Sequence, residues 1–143
     1  MPGHRPAIAI GYAAFVQLRR RPYEQYVRAR LGDCELSRRV VEHALRRTEL
    51  SWPAVLAADP AVFAWRVLGE SVADALARSA RQGADALHRA LPARAADAAL
   101  LHERLGMPAG AAAELMGLAE PELQVELRTA RRLLAATRSR PTP

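Results

Sequence analysis

The side chains able to do chemistry in this sequence are arginines and a few amides. Cys34 is the single cysteine and the four His residues stand at no metal-ligand spacing, so neither a disulfide nor a metal centre is expected. His43, His88 and His102 read as ordinary surface or boundary residues, with no carboxylate or cysteine beside them at a catalytic spacing. No nucleophile–base pair, acid pair or cofactor motif is visible, so the expectation is a protein that is not an enzyme and uses no cofactor. Hydrogen-bonding chemistry remains, and it concentrates in residues 120–134, EPELQVELRTARRLL. Leu118, Leu123, Leu127, Ala130 and Leu134 recur every three to five residues and claim one helix face for a core. That leaves Gln124, Val125, Arg128, Thr129 and Arg132 projecting outward. Gln and Arg bond bidentately to the edges of adenine and guanine, so this face could read DNA. Glu120, Glu122 and Glu126 oppose an approach to phosphate, although carboxylates near a helix start are favoured by the helix dipole, by about 0.3–1 kcal/mol.

The elements that must position this face all read as helical. Arg19, Arg20, Arg21 and Pro22 interrupt a first helical stretch, and YEQYVRARLGD then runs to a stop at Gly32. Asp33 sits as an N-cap ahead of ELSRRVVEHALRR, where Leu36, Val40, Ala44 and Arg47 keep helical spacing. Residues 48–60, with two prolines, read as a connector, and Asp59 followed by Pro60 as the next helix start. There Trp65, Leu68, Val72 and Leu76 form an apolar stripe, and Arg66, Glu70, Asp74 and Arg78 a polar one that either meets a partner or is a salt-bridged solvent face. The pattern breaks at Gln82 and Gly83, a hinge, and helices follow near 92–105, 109–116 and 121–137. No strand signal or repeat appears, so the fold class is all-α, in two small helical domains. The boundaries are 1–81 for the first, 82–90 for a linker, 91–137 for the second and 138–143 for a disordered tail.

At 143 residues, half of them apolar, the chain can bury a core. All 21 basic residues are Arg, and the formal charge is +6. Up to Arg81 there are thirteen Arg against eight acids, and beyond it eight against seven, so the first part carries most of any attraction to an anionic partner. Arg without Lys is equally what a GC-rich genome produces. The opening apolar run is brief and its charges follow it, so neither a signal peptide nor a membrane span is expected, and the location reads as cytoplasmic.

Taken in order, the segments resemble the extracytoplasmic-function class of bacterial sigma factors over roughly residues 10–136. In YVRARLGDCELSRRVVEHAL, the residues Leu31, Gly32, Asp33, Leu36, Val40 and Val41 fit the stretch where Leu-Gly-Asp precedes a polymerase-docking helix. In FAWRVLGESVADALAR, Phe63, Arg66, Val67 and Asp74 fit the helix that engages the −10 promoter element. Leu91, Pro92, Gly106, Ala113, Gly117, Leu123, Ala130, Arg131 and Leu134 fall where the family's second domain keeps its helix-turn-helix. The resemblance implies two domains, core RNA polymerase and promoter DNA as partners, and initiation of transcription. By that likeness Arg38, Arg39, Val41, Glu42 and Leu45 would bind core polymerase. Trp52, as a base-stacking side chain in the loop TELSWPAVLAADP, would meet the −10 region with Arg66, Glu70, Asp74 and Arg78. Glu122, Gln124, Val125, Arg128, Thr129 and Arg132 would meet the −35 region.

The sequence also departs from the family. Arg38 and Arg39 stand where it usually has an acidic pair, reversing the charge offered to a partner. Glu70 replaces an Asn, exchanging a donor-acceptor for an acceptor only. Pro121, Glu122, Val125 and Glu126 replace Gly-Thr and Ser-Arg on the recognition helix. These changes leave open a sigma-like interaction protein that binds a protein partner, such as an anti-sigma-like regulator, without initiating transcription. Nonspecific nucleic-acid binding through the Arg-rich first part is a third reading.

Overall fold

A computed structural model of the chain describes residues 4–79, 83 and 85–139, with the side chains of 4–10 left undescribed. Gln82 of the expected hinge and residues 140–143 of the expected tail lie outside the described residues, while Ser139 closes the last helix. The described residues are helical throughout, with short turns and no strand. In order they form α1 (His4–Leu31), α2 (Cys34–Leu50), α3 (Trp52–Leu56), α4 (Pro60–Ser79), α5 (Leu87–Ala90), α6 (Ala93–Ala99), α7 (Ala109–Met116) and α8 (Glu120–Arg138). A π-helical turn, Leu100–Arg104, extends α6.

The capping chemistry read from the sequence places the helix starts. The Asp33 carboxylate accepts from the Leu36 N–H at 2.9 Å, satisfying one of the donors that a helix start leaves open. Asp59 accepts from Ala61 N–H at 3.0 Å, with Pro60 as the first residue of α4. Residues 48–60 are not wholly a connector, because a single short helix, α3, forms at Trp52 with Pro53 in its first turn.

The expected interruption at Arg19–Pro22 does not occur. α1 runs unbroken through Pro22, although an interior proline removes one backbone hydrogen bond at a cost of about 3 kcal/mol. Tertiary packing outweighs it: Phe15, Tyr23, Tyr26, Val27 and Leu31 are buried along α1, before and after the proline. The Tyr12 hydroxyl adds a hydrogen bond to the Leu45 carbonyl of α2 at 2.8 Å. Burying a large apolar side chain is worth about 1.5–3 kcal/mol, so a few of these suffice.

α2 and α4 pack along each other and against α1, with Val40, Val41, Ala44 and Leu45 facing Ala64, Val67, Leu68 and Val72. α6, α7 and α8 make a second packed group around Ala95, Ala98, Ala99, Leu101, Leu123, Leu127 and Ala130. These two groups share one hydrophobic core, so the 82–90 stretch links parts that touch. α7 contacts α4, and the π-helical turn contacts α1. No helix among the described residues is long and apolar enough to cross a membrane.

Candidate nucleic-acid and partner interface

α7 and α8 are joined by a tight turn that the sequence specifies at Gly117. Its φ of 74° is left-handed, the conformation that glycine adopts without penalty at a helix end. The turn also lies hard against α4: a Cβ at Gly117 would stand 2.6 Å from Val62 Cγ2 and 2.8 Å from its backbone nitrogen. Glycine is therefore needed twice, for its backbone angle and for the close approach.

The two faces of α8 divide as their spacing predicts. Leu123, Leu127 and Ala130 are fully buried, and Leu118 and Leu134 pack partly buried against the same core. Val125, Arg128 and Arg132 are exposed, as is Glu122, while Gln124, Glu126 and Thr129 are half-buried at the edges. The glutamates have structural work. Glu122 accepts from the Ala119 N–H at 2.9 Å, a bond that closes the start of α8, since Ala119 has no side-chain oxygen of its own. Arg94 of α6 reaches Glu122 at 4.0 Å and Glu126 at 3.9 Å. Arg131 is tied to Glu103 at 2.9 Å. Arg94 thus offsets one of the two negative charges that Glu122 and Glu126 bring to the outer face, and Arg128 and Arg132 remain presented there.

On α2, Arg38, Arg39, Glu42, His43 and Arg46 are all exposed and share one surface hollow. Glu42 is paired with Arg20 of α1. Val41 and Leu45, assigned to the same docking face by the resemblance, are instead core residues at 0 % and 2 % exposure. Each lies three residues after an exposed one, Val41 after Arg38 and Leu45 after Glu42, and both turn inward to the core that α2 shares with α4.

The polar stripe of α4 is exposed as expected, with Arg66, Glu70, Asp74 and Arg78 all outward. Glu70 bridges to Arg47 of α2 at 3.0 Å and lies 4.0 Å from Arg66, which also covers the Phe63 ring at 5.2 Å. Arg78 bonds back to the Asp74 carbonyl at 3.4 Å. Trp52 is not on a surface. It is 3 % exposed and wedged between Tyr12 and Phe15, with ring centroids 5.4 and 5.2 Å away, so no base can stack on it here. α3 carries it inward, which a reading of the segment as an open loop misses. Trp65 packs on Tyr26 at 4.5 Å and is only partly buried.

Sequence reasoning missed a ring of ionisable side chains around His88. Its Nδ1 lies 2.6 Å from Asp85 Oδ2 and its Nε2 lies 2.6 Å from Asp97 Oδ1. The Tyr26 hydroxyl donates to the same Asp97 oxygen at 2.5 Å and accepts from Arg30 at 2.9 Å. Arg30 closes the ring through Nε, 3.4 Å from Asp85 Oδ2. His88 thus bridges the two carboxylates through its two ring nitrogens, with the Arg30 guanidinium beside Asp85. Burial, then the Asp97 charge, pushes the Tyr26 phenol well above its usual range, in keeping with its role as a donor. Two signals pointed here: Asp85 stands three residues before His88, a capping distance, and Asp97 lies alone in the apolar run AADAALL. Arg30 Nε makes no hydrogen bond and contributes only its charge, and the ring is a clasp between α1, the 85–88 segment and α6.

Among the described residues no group of His, Cys, Asp or Glu is placed to hold a metal ion. In comparisons with known proteins, the chain matches no family model, no curated protein and no solved structure.

Proposed function

We propose that this protein is a sigma-factor-like transcription regulator that binds core RNA polymerase through α2 and promoter DNA through α8. The observation that carries the reading is the outer face of α8: a helix following a tight left-handed glycine turn, anchored by fully buried Leu123, Leu127 and Ala130, and presenting Val125, Arg128 and Arg132. This is the arrangement by which a helix-turn-helix offers side chains to a major groove. The exposed Arg38, Arg39, Glu42 and His43 of α2 are the contacts it would offer polymerase, and Arg66 and Arg78 of α4 those it would offer the −10 region. Its two parts would act as separate domains, parting at 82–90, and its place would be the cytoplasm with the polymerase.

The test is whether the purified chain associates with bacterial core RNA polymerase and directs it to open a promoter on DNA from the gene's own neighbourhood. Specific initiation supports the reading; no association, with no initiation, defeats it.

A second reading, a sigma-like protein that binds a protein partner without initiating transcription, is favoured by one specific observation. α4 and the α7–α8 turn meet at Val62 and Gly117 with no room for a methyl group, and the ring around His88 ties α6 to α1. A chain held closed in this way keeps its −10 and −35 faces at a fixed separation. Capture of a helical protein partner by a chain that ignores polymerase would select this reading.

A further inference from the structure

A groove of about 410 Å³ runs between α2 and α4, away from the outer face of α8. Its floor is apolar, built by Leu36 and Val40 of α2 and Ala75 of α4, and its rim carries Arg39, His43 and Arg78. Among the described residues no carboxylate lines it. Of the acids on the two helices, Glu42 pairs with Arg20 and Glu70 with Arg47. Asp74 lies one turn before Arg78 and outside the lining. Arg38 and Arg46 flank Arg39 and His43 in the adjoining surface hollow. Among the described residues none of Arg38, Arg39 and Arg46 makes an ion pair or a hydrogen bond, so their charge is directed to whatever approaches.

We propose that this groove docks an acidic protein segment in which one apolar side chain stands between carboxylates. Charge complementarity sets the sign of the partner, with the carboxylates meeting Arg39, Arg78 and the arginines beside them. The apolar floor sets its class. A single-stranded nucleic acid would be met by aromatic side chains on which bases stack, and among the described residues none lines the groove, whereas Leu36, Val40 and Ala75 suit a leucine or similar anchor. The groove has room for only a few side chains, so the segment is a short motif held with affinity on the order of micromolar or weaker. Arg39, His43 and Arg78 are also the contacts proposed above for polymerase and the −10 region, so this segment and those partners would compete for the same rim.

The test is fluorescence anisotropy on the full chain with a labelled acidic peptide bearing a single central leucine. The same peptide with serine at that position, and a duplex DNA of arbitrary sequence, serve as competing probes. The leucine peptide should bind saturably, and the serine peptide about tenfold more weakly. The double variant Arg39→Glu with Arg78→Glu should lose at least about tenfold, while Arg104→Glu, an exposed change on the π-helical turn, leaves binding intact. Ser79→Trp fills one end of the groove from an exposed position and should weaken binding without altering the rim charges. Thermal melts followed by circular dichroism check that each variant is folded. Equal binding of both peptides, indifference to Ser79→Trp, tighter binding of the DNA through the same arginines, or no peptide binding at all would each overturn the proposal.

Discussion

Tyr26 and Asp97, 71 residues apart in sequence, meet through a 2.5 Å hydrogen bond that joins the C-terminal part of α1 to α6. Asp97 also takes the Nε2 contact of His88, so its carboxylate joins two halves of the ring. Removing one partner of a buried charged network leaves the others uncompensated, at about 3–5 kcal/mol. Asp97→Ala is expected to lose about that much in urea unfolding. Tyr26→Phe, which removes a hydrogen bond to a charged group but no charge, is expected to lose about 1.5–3 kcal/mol. Equal and small losses from both would mean that the ring contributes little to holding α6 on α1.

The Gly117 turn offers a comparison within the same molecule. Gly106 has a similar φ of 71°, yet a Cβ there meets nothing within 4 Å, whereas at Gly117 it meets Val62. Gly106→Ala should therefore cost only the left-handed penalty, about 1–2 kcal/mol. Gly117→Ala should cost that plus about 1–3 kcal/mol of overpacking against α4. A matched pair of urea titrations checks the difference; equal losses would place the turn farther from α4 than described.

The Tyr23 hydroxyl is buried with no hydrogen-bond partner among the described residues. Tyr23→Phe removes that unmet polar group and keeps the ring, so it is expected to raise stability at neutral pH by about 1 kcal/mol. Burial raises the phenols of both Tyr23 and Tyr26 above the ordinary value of 10.0. The sign follows from proton counting. Below about pH 10 both states hold these protons and nothing changes; above it the unfolded chain releases them first, and stability falls. Each such group steepens the fall by about 1.4 kcal/mol per pH unit, so Tyr23→Phe should flatten the alkaline arm of a melting-temperature profile by one group's share.

How much of this was legible in the sequence depended on range. Local signals held: Asp33 and Asp59 cap the helices they were expected to cap, and the 109–116 helix stands as α7. Periodicity found Leu123, Leu127 and Ala130 as core because a helix face is a local property. What failed was long-range. Pro22 is a helix breaker by propensity, and only packing with α2, α4 and the C-terminal helices lets α1 pass through it. Trp52, Val41 and Leu45 were placed on contact faces by resemblance, and each is buried because another helix covers it. His88 looked unaccompanied because one of its two carboxylates is nine residues on, in the next long helix. The arginine faces of α2 and α8 were readable as exposed, but which acids cancel them was not, since Arg20 with Glu42 and Arg94 with Glu126 pair across helices.

The acids at the start of α8 give the sharpest test of the DNA reading. Glu122 and Glu126 lie beside the face that presents Arg128 and Arg132, and Arg94 shares its charge between them at 4.0 and 3.9 Å. Replacing them as Glu122→Thr with Glu126→Arg removes two negative charges, adds one positive charge and frees Arg94. If α8 approaches phosphate, affinity for duplex DNA should rise and its salt dependence steepen, because more counterions are released on binding. The same change removes the carboxylate that closes the helix start, so a stability loss of about 0.5–2 kcal/mol should accompany it. Arg128→Ala in that background should then cost about 1–3 kcal/mol on a preferred sequence and little on an arbitrary one, if the guanidinium reads a base edge. Unchanged DNA affinity in the double variant, with the stability loss present, would show that α8 keeps the helix-turn-helix scaffold and has turned its outer face to another partner.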